Sequence, residues 1–193
     1  MQASVTVRDH TKAMFAALQE LRYTDVLVGI PEERASREGE TITNAQLAYI
    51  HTHGVRAKSM REEMQPTIDE TGKYSKAYEM YVMAHGSPLY AVPSRPIIEA
   101  AIEYPENQAM IARELAKALQ AIAAGNQGRA ERYLQQAGEV AMNAVRDWFE
   151  HPANGWPPNS DETAKRKGSE RPLVDTGALR QAITYVVRDK RKE

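Results

Sequence analysis

The chain has 193 residues and no cysteine. A disulfide framework, a thiolate nucleophile and a cysteine-ligated zinc site are therefore excluded. Long apolar runs are missing as well. No stretch approaches the ~20 residues of a membrane-spanning helix, and residues 1–9 hold no apolar core of signal-peptide length. Cytoplasmic synthesis and no membrane partner are expected. Net charge is nearly absent, with 25 basic and 26 acidic residues giving -1. A dedicated nucleic-acid binder usually carries an obvious basic excess. Large apolar side chains are scarce too. Leu, Ile, Val and Phe total 34 residues, about 18% of the chain, below the ~20% that marks disorder when net charge is also high. The charge half of that signature is lacking. A folded, largely helical chain is expected, with a thin core that needs neighbours to bury the rest of its apolar surface.

Alanine is plentiful, at 28 residues, and the charge is unevenly spread. Residues 164–193 hold nine basic and four acidic residues, so that segment is +5 and the remainder -6. Such asymmetry aligns head-to-tail contacts between proteins, or it reflects a solvated tail; both readings stay open.

Alternating β-branched residues at 4–8 predict a short strand. Asp9 then caps a helix whose face carries Met14, Ala17, Leu18 and Leu21. Residues 25–30 read as a buried strand ended by Pro31. Thr43 and Gln46 have capping-box spacing, which predicts a helix through about Ile50, stopped near Gly54 in a left-handed cap. Residues 55–83 fit neither a clean helix nor a clean strand. They are rich in charge and methionine, and four of the nine tyrosines fall between Tyr74 and Tyr90. They read as an inserted arm or long loop that orders against a partner, since Met adapts and Tyr is frequent at interfaces, or as a plain surface loop. Pro96 and Pro105 each suit the first turn of a helix. The second of these carries Ile111, Leu115, Ala118, Leu119 and Ile122 as a stripe. The strongest periodicity runs from about Arg129 to Glu150, with Gly138 in its middle permitting a close helix approach. Residues 151–172 break regular structure. A short helix from Thr176 to about Ala182, capped by Asp175 or Thr176, precedes a final strand at 183–187.

Little in this pattern points to a reaction. His51 and His53 are the best metal candidates, but an i, i+2 pair does not converge on a helix, and no nearby Cys or acid completes a tetrahedral set. Ser87 and Ser94 lie in proline-rich turns without a nucleophile elbow. The glycines form no phosphate loop or dinucleotide fingerprint. Lys165, Arg166 and Lys167 could grip phosphate or simply be a solvated loop. Trp156, followed by two prolines, is placed either to lie over a core as a lid or to dock into a partner. No catalytic, cofactor-binding or metal-binding residue is assigned.

The C-terminal third carries an ordered motif series: Asn154-Gly155-Trp156-Pro157-Pro158-Asn159, then Thr163 through Lys167-Gly168-Ser169, then Leu173-Val174-Asp175-Thr176-Gly177-Ala178-Leu179, closing on Ile183-Thr184-Tyr185. Upstream, Thr43 to His51 leads to His53-Gly54, and Pro93-Ser94-Arg95-Pro96 forms a Pro-x-Arg-Pro turn. Together these resemble the neck and tail-completion proteins of tailed bacteriophages, the minor virion components that join head to tail. Two positions depart from the family pattern: His53-Gly54 replaces an aromatic-Gly ending, and Ile97 stands where Phe is usual. The two upstream pieces lie close together in typical members, and here residues 55–83 separate them.

The resemblance implies an α+β subunit with a small antiparallel sheet packed by helices. It also implies assembly into a ring of six or twelve copies at the head–tail junction, in contact with portal, adaptor or tail proteins and near DNA, without enzymatic activity. The expected organisation is a single α+β core of residues 1–54 and 84–193 interrupted by a 55–83 arm, located in the virion. Expected inter-subunit contacts are Met60, Met64, Tyr74, Tyr78, Tyr81, Trp156, Arg188 and Lys190. Asp175, Thr176 and Gly177 are expected to form a structural turn. Two alternatives remain: a nucleic-acid-contacting protein using the basic C-terminal region, and a metal-dependent hydrolase centred on His51 and His53.

Overall fold

In a computed structural model, the structure describes residues 22–37 and 41–192, together with Thr11, Lys12, Phe15 and Gln19. The expected strand at 4–8 and most of the helix after Asp9 lie outside the described residues. In chain order the elements are β1 (Thr24–Gly29), a 3-10 turn (Glu32–Arg34), α1 (Asn44–His53), β2 (Val55–Arg56), α2 (Lys58–Thr71), α3 (Tyr74–His85) and β3 (Tyr90–Val92). There follow α4 (Ile98–Glu103), α5 (Pro105–Ala123), α6 (Gln127–Trp148), a 3-10 turn (Pro152–Asn154), α7 (Asp161–Lys167), α8 (Ala178–Ala182), β4 (Thr184–Asp189) and a last 3-10 turn (Lys190–Lys192). The fold is α+β, as expected. The β component is two separate antiparallel pairs, β1 with β4 and β2 with β3. Among the described residues, no helix is long and apolar enough to cross a membrane.

The expected single core does not form. The chain divides into two compact units, one of residues 1–31, 98–148 and 183–193, the other of residues 32–97 and 149–182. The backbone passes between them four times, so neither unit is continuous in sequence, and no linker composition marks the boundary.

In the first unit, α5 starts with Pro105 at its first position, where the missing N–H costs nothing. It turns into α6 through Gly125 and Asn126, whose Oδ1 accepts the Arg129 N–H at 3.0 Å. The buried stripe of α6 is Ala130, Leu134, Ala137, Gly138, Ala141, Ala144, Val145 and Trp148, at the three- and four-residue spacing of one helical face. Small residues dominate it, so α5, α4 and the β1–β4 pair all pack closely on α6. The two strands run in register from Thr24 opposite Asp189 to Gly29 opposite Thr184. Arg146 donates to Ile183 O through Nε (3.2 Å) and Nη2 (2.7 Å), fixing the entry of β4. Asp25 accepts from Arg188 (2.9 Å) and Lys190 (2.8 Å), and these bonds, Lys190 first, hold its carboxyl below the usual range. Two of the expected inter-subunit cations, Arg188 and Lys190, are thus paired within their own unit.

Residues 55–83 are corrected most. They hold β2 and two helices, α2 and α3, that pack on each other as a hairpin with its own small core. Met60, Met64, Ala77 and Tyr81 are buried there, with Ala57, Ile68 and Tyr78 against them. Met60 and Met64, at 0% and 2% exposure, and Tyr81 at 8% are therefore interior residues, not surface contacts. The apolar stripe escapes a periodicity reading because it is short and built from Met, and because Pro66 sits inside α2, where it normally breaks a helix. His85 Nε2 and Glu63 Oε1 meet at 2.7 Å across the hairpin. Its two ends lie side by side, since the Ala57 N–H donates to Leu89 O at 2.8 Å. Arg56 at its base stands 4.0 Å from the ring centre of Tyr90 and 5.2 Å from that of Tyr78, a cation–π contact on each.

Gly138 has a specific steric reason to be glycine, and it is a strand side chain rather than a helix that approaches. A Cβ there would lie 2.8 Å from Cγ and Cε2 of the Tyr185 ring, and closer still to Cδ2. Gly138→Ala is therefore expected to destabilise by about 1–3 kcal/mol through overpacking, against a helix-propensity gain of at most about 1 kcal/mol. Urea unfolding reads this directly. In a Tyr185→Ala background the same substitution should become neutral or stabilising; an equal loss in both backgrounds would contradict the packing account.

Candidate functional site

The second unit gathers the separated motif segments into one place. Helix α1 opens with the expected capping box: Thr43 Oγ1 accepts the Gln46 N–H (3.1 Å) and Gln46 Oε1 accepts the Thr43 N–H (3.0 Å). It extends to His53 and stops at Gly54, with φ 69° and ψ 171°, a glycine conformation other than the left-handed cap expected. A Cβ on Gly54 would fall 2.8 Å from both Val92 O and Tyr90 Cε1, so β3 runs directly against the end of the helix. The chain after β3 then supplies partners for the last carbonyls of α1, which have none inside the helix. Ser94 Oγ donates to Thr52 O and the Arg95 N–H to His51 O, each at 2.6 Å.

The Arg95 side chain continues this clasp. It is only 5% exposed and donates from Nε to Pro157 O (3.0 Å) and from Nη2 to Pro158 O (2.8 Å). Trp156 closes the clasp from the other side, its Nε1–H donating to Pro96 O at 2.9 Å. Its ring meets Phe149 edge-on at 5.5 Å. The two proline pairs are thus locked together by exchanged side-chain to carbonyl bonds. Trp156 is a lid over its own unit, which corrects its placement as a contact residue. The sequence marked both proline segments; what it did not indicate is that Arg95 joins them.

Beside the clasp lies a cleft of about 720 Å³. Its apolar wall includes Leu47, Val92, Pro158, Leu173 and Leu179, and its polar wall includes Arg37, His51, Arg95, Arg166, Lys167 and Asp175. Residues 165–167 lie on α7 rather than in a loop. The Ser160 Oγ caps α7 by accepting the Thr163 N–H at 3.3 Å, and the three cations occupy its last turn, complementing the helix dipole. Asn159 Nδ2 reaches the carbonyls of Glu170 (3.2 Å) and Arg171 (3.1 Å), and Lys167 Nζ donates to Arg171 O at 3.1 Å. These bonds fold residues 168–172 back on α7. Leu173 follows with φ 59°, an uncommon conformation for a residue with a Cβ.

Asp175, Thr176 and Gly177 line the cleft and start α8. The Gln181 N–H donates to Gly177 O, which puts Gly177 at the cap position; the Ala178 N–H donates to Thr176 Oγ1 at 3.3 Å in a turn just before it, and Asp175 stays exposed beside Lys167. Leu179 and Ala182 of α8 are buried.

His51 and His53 do not come together. His53 is exposed and leans on Tyr49, with ring centres 4.3 Å apart, whereas His51 faces the cleft. Among the described residues no group of three His, Cys, Asp or Glu is placed to hold a metal ion. The Nδ1 of His51 is buried without a hydrogen-bond partner. Burial first, then the charges of Arg95 and Lys167, push His51 down to about 4. Burial likewise lowers Lys167, with Asp175 opposing and the Arg95 and Arg166 charges adding to the shift. Comparison with protein-family models, curated proteins and solved structures finds no match for this chain.

Two outcomes follow. Arg95→Met leaves the Pro157 and Pro158 carbonyls without their donor and should destabilise by roughly 2–4 kcal/mol, the scale of two hydrogen bonds to a charged group. Trp156→Phe, which loses one donor but keeps a ring, should lose about 1 kcal/mol; equal losses for both in urea unfolding would contradict the clasp. For His51, the unfolded chain takes up a proton near pH 6.5 while the folded one waits until about 4. Stability therefore falls as pH drops through that window. The urea midpoint of the His51→Gln variant should fall less than that of the natural chain between pH 7 and 4.5.

Proposed function

We propose that this chain is a structural subunit of a tailed-phage virion, assembling into a ring of six or twelve copies at the head–tail junction. Portal, adaptor or tail proteins are its neighbours there, and DNA passes nearby. The observation that carries this reading is the convergence of its motif segments on a fold-building clasp. Residues 43–54, 93–97 and 154–159 meet at Arg95 and Trp156 in bonds that fix backbone carbonyls, and residues 173–179 line the cleft beside them. Motifs used in this way support a scaffold role, in which the product of the chain is a shape, and they fit the order of the family resemblance.

Self-association needs an outward apolar surface, and α3 offers one. Met83 is 80% exposed, Tyr74 51% and Met80 48%. The hairpin hides Met60, Met64 and Tyr81 inside and presents Met80 and Met83 on the side of α3 away from them, while Tyr74 is exposed at the start of the helix and Tyr78 is half-buried at the hairpin's base. Met and Tyr are residue types that gain most from burial at an interface. In this reading the hairpin is the arm by which one subunit reaches the next.

Light scattering on the purified chain should give the mass of a six- or twelve-fold assembly; a monomer at high concentration would refute the ring. Met80→Glu with Met83→Glu, or excision of residues 58–86 with Ala57 joined through a short linker to Ser87, should lower the number of copies per assembly and leave far-UV helical signal per remaining helix unchanged. An unaltered copy number in both variants would remove the hairpin from the interface.

A further inference from the structure

The cleft beside the clasp has an unusual charge balance for a partly enclosed space. Arg95, Arg166 and Lys167 line it, together with Arg37, which has interactions of its own, and Asp175 is the one acid among the described lining residues. The internal bonds of Arg95 and Lys167 go to neutral carbonyls, which satisfy N–H groups without neutralising charge, and the single carboxylate of Asp175 offsets only Lys167. Among the described residues Arg166 forms no ion pair. His51, held neutral at ordinary pH, adds a buried ring nitrogen without a partner. Like charges held along one cleft repel one another, and a bound anion relieves that repulsion.

We propose that this cleft is a binding site for a small molecule bearing a multivalent oxyanion, phosphate or carboxylate, on a compact apolar body. The cations would take the oxyanion, as Arg and Lys do wherever phosphate or carboxylate is recognised. Leu47, Val92, Leu173 and Leu179 offer the apolar body a wall, and the volume falls within the ~300–1,000 Å³ of ordinary small-ligand sites. The site lies within one unit of a single chain, and it does not depend on ring assembly or on a virion role.

Calorimetry and thermal unfolding in low-chloride buffer test it, with inorganic phosphate and citrate as separate probes. Saturable binding of either one, with a raised Tm, is the expected result, and the stronger of the two assigns phosphate or carboxylate as the preferred donor. Arg166→Gln should weaken that binding by about tenfold, the scale of one charge-assisted hydrogen bond. Lys165→Gln is the control: it removes the same charge from the neighbouring position on α7, outside the cleft lining, and should leave affinity within about twofold. Equal weakening by the two variants would mean diffuse surface charge and would overturn the site. So would the absence of binding by both probes, or binding of duplex DNA without binding of either small anion.

Discussion

Removing a guanidinium from water costs several kcal/mol unless its N–H groups find acceptors. Arg95 meets that constraint by drawing on two proline carbonyls more than sixty residues away in the chain. Much of the second unit follows from it. Pro157 and Pro158 must lie against the Pro93–Pro96 turn, which seats Trp156 on Pro96 and brings the 154–159 loop beside α1. The backbone of Arg95 in turn closes the end of α1. Proline serves this arrangement well, because its fixed φ reduces the loop's conformational freedom and it has no N–H of its own to satisfy. The cleft exists because α7 and the start of α8 continue from a loop already pinned here.

The scarcity of large apolar residues acquires a physical explanation in the first unit. A stripe of Ala and Gly on α6 lets neighbouring elements approach closely, so contact is made by backbone and small side chains as well as by bulk. Tyr185 lying over Gly138 is the extreme case. Large side chains are then needed only at a few positions, such as Val145, Trp148 and Ile183, which are nearly or fully buried. Other large residues face outward. Leu27 and Val186, opposite each other in the β1–β4 pair, are 44% and 49% exposed.

The hairpin separates two ideas that sequence reasoning had joined. Its two ends lie together, the Ala57 N–H donating to Leu89 O. It is not an unstructured arm, because two Met residues four apart on α2 and Ala77 with Tyr81 four apart on α3 make a small core. A helix of this kind draws its stability from its partner helix, and Met is flexible enough to fill such a seam. Of the residues that suggested an interface, Met60, Met64 and Tyr81 therefore stabilise the arm internally, whereas Tyr74 is exposed, as are Met80 and Met83.

Local chemistry was readable from the sequence alone wherever neighbours in sequence supply both partners of an interaction. The Thr43–Gln46 capping box, Pro105 at a helix start, the long stripe of α6 and the terminal strand are of this kind, and so is the absence of thiol chemistry. Four things were decided only by tertiary structure. These are the division into two discontinuous units, the pairing of Asp25 with Arg188 and Lys190, the burial of Met60, Met64, Tyr81 and Trp156, and the gathering of Arg37, His51, Arg95, Arg166 and Lys167 around one cleft. Each depends on residues tens of positions apart meeting in space, and a one-dimensional periodicity carries no information about which distant carbonyl or ring a side chain will find.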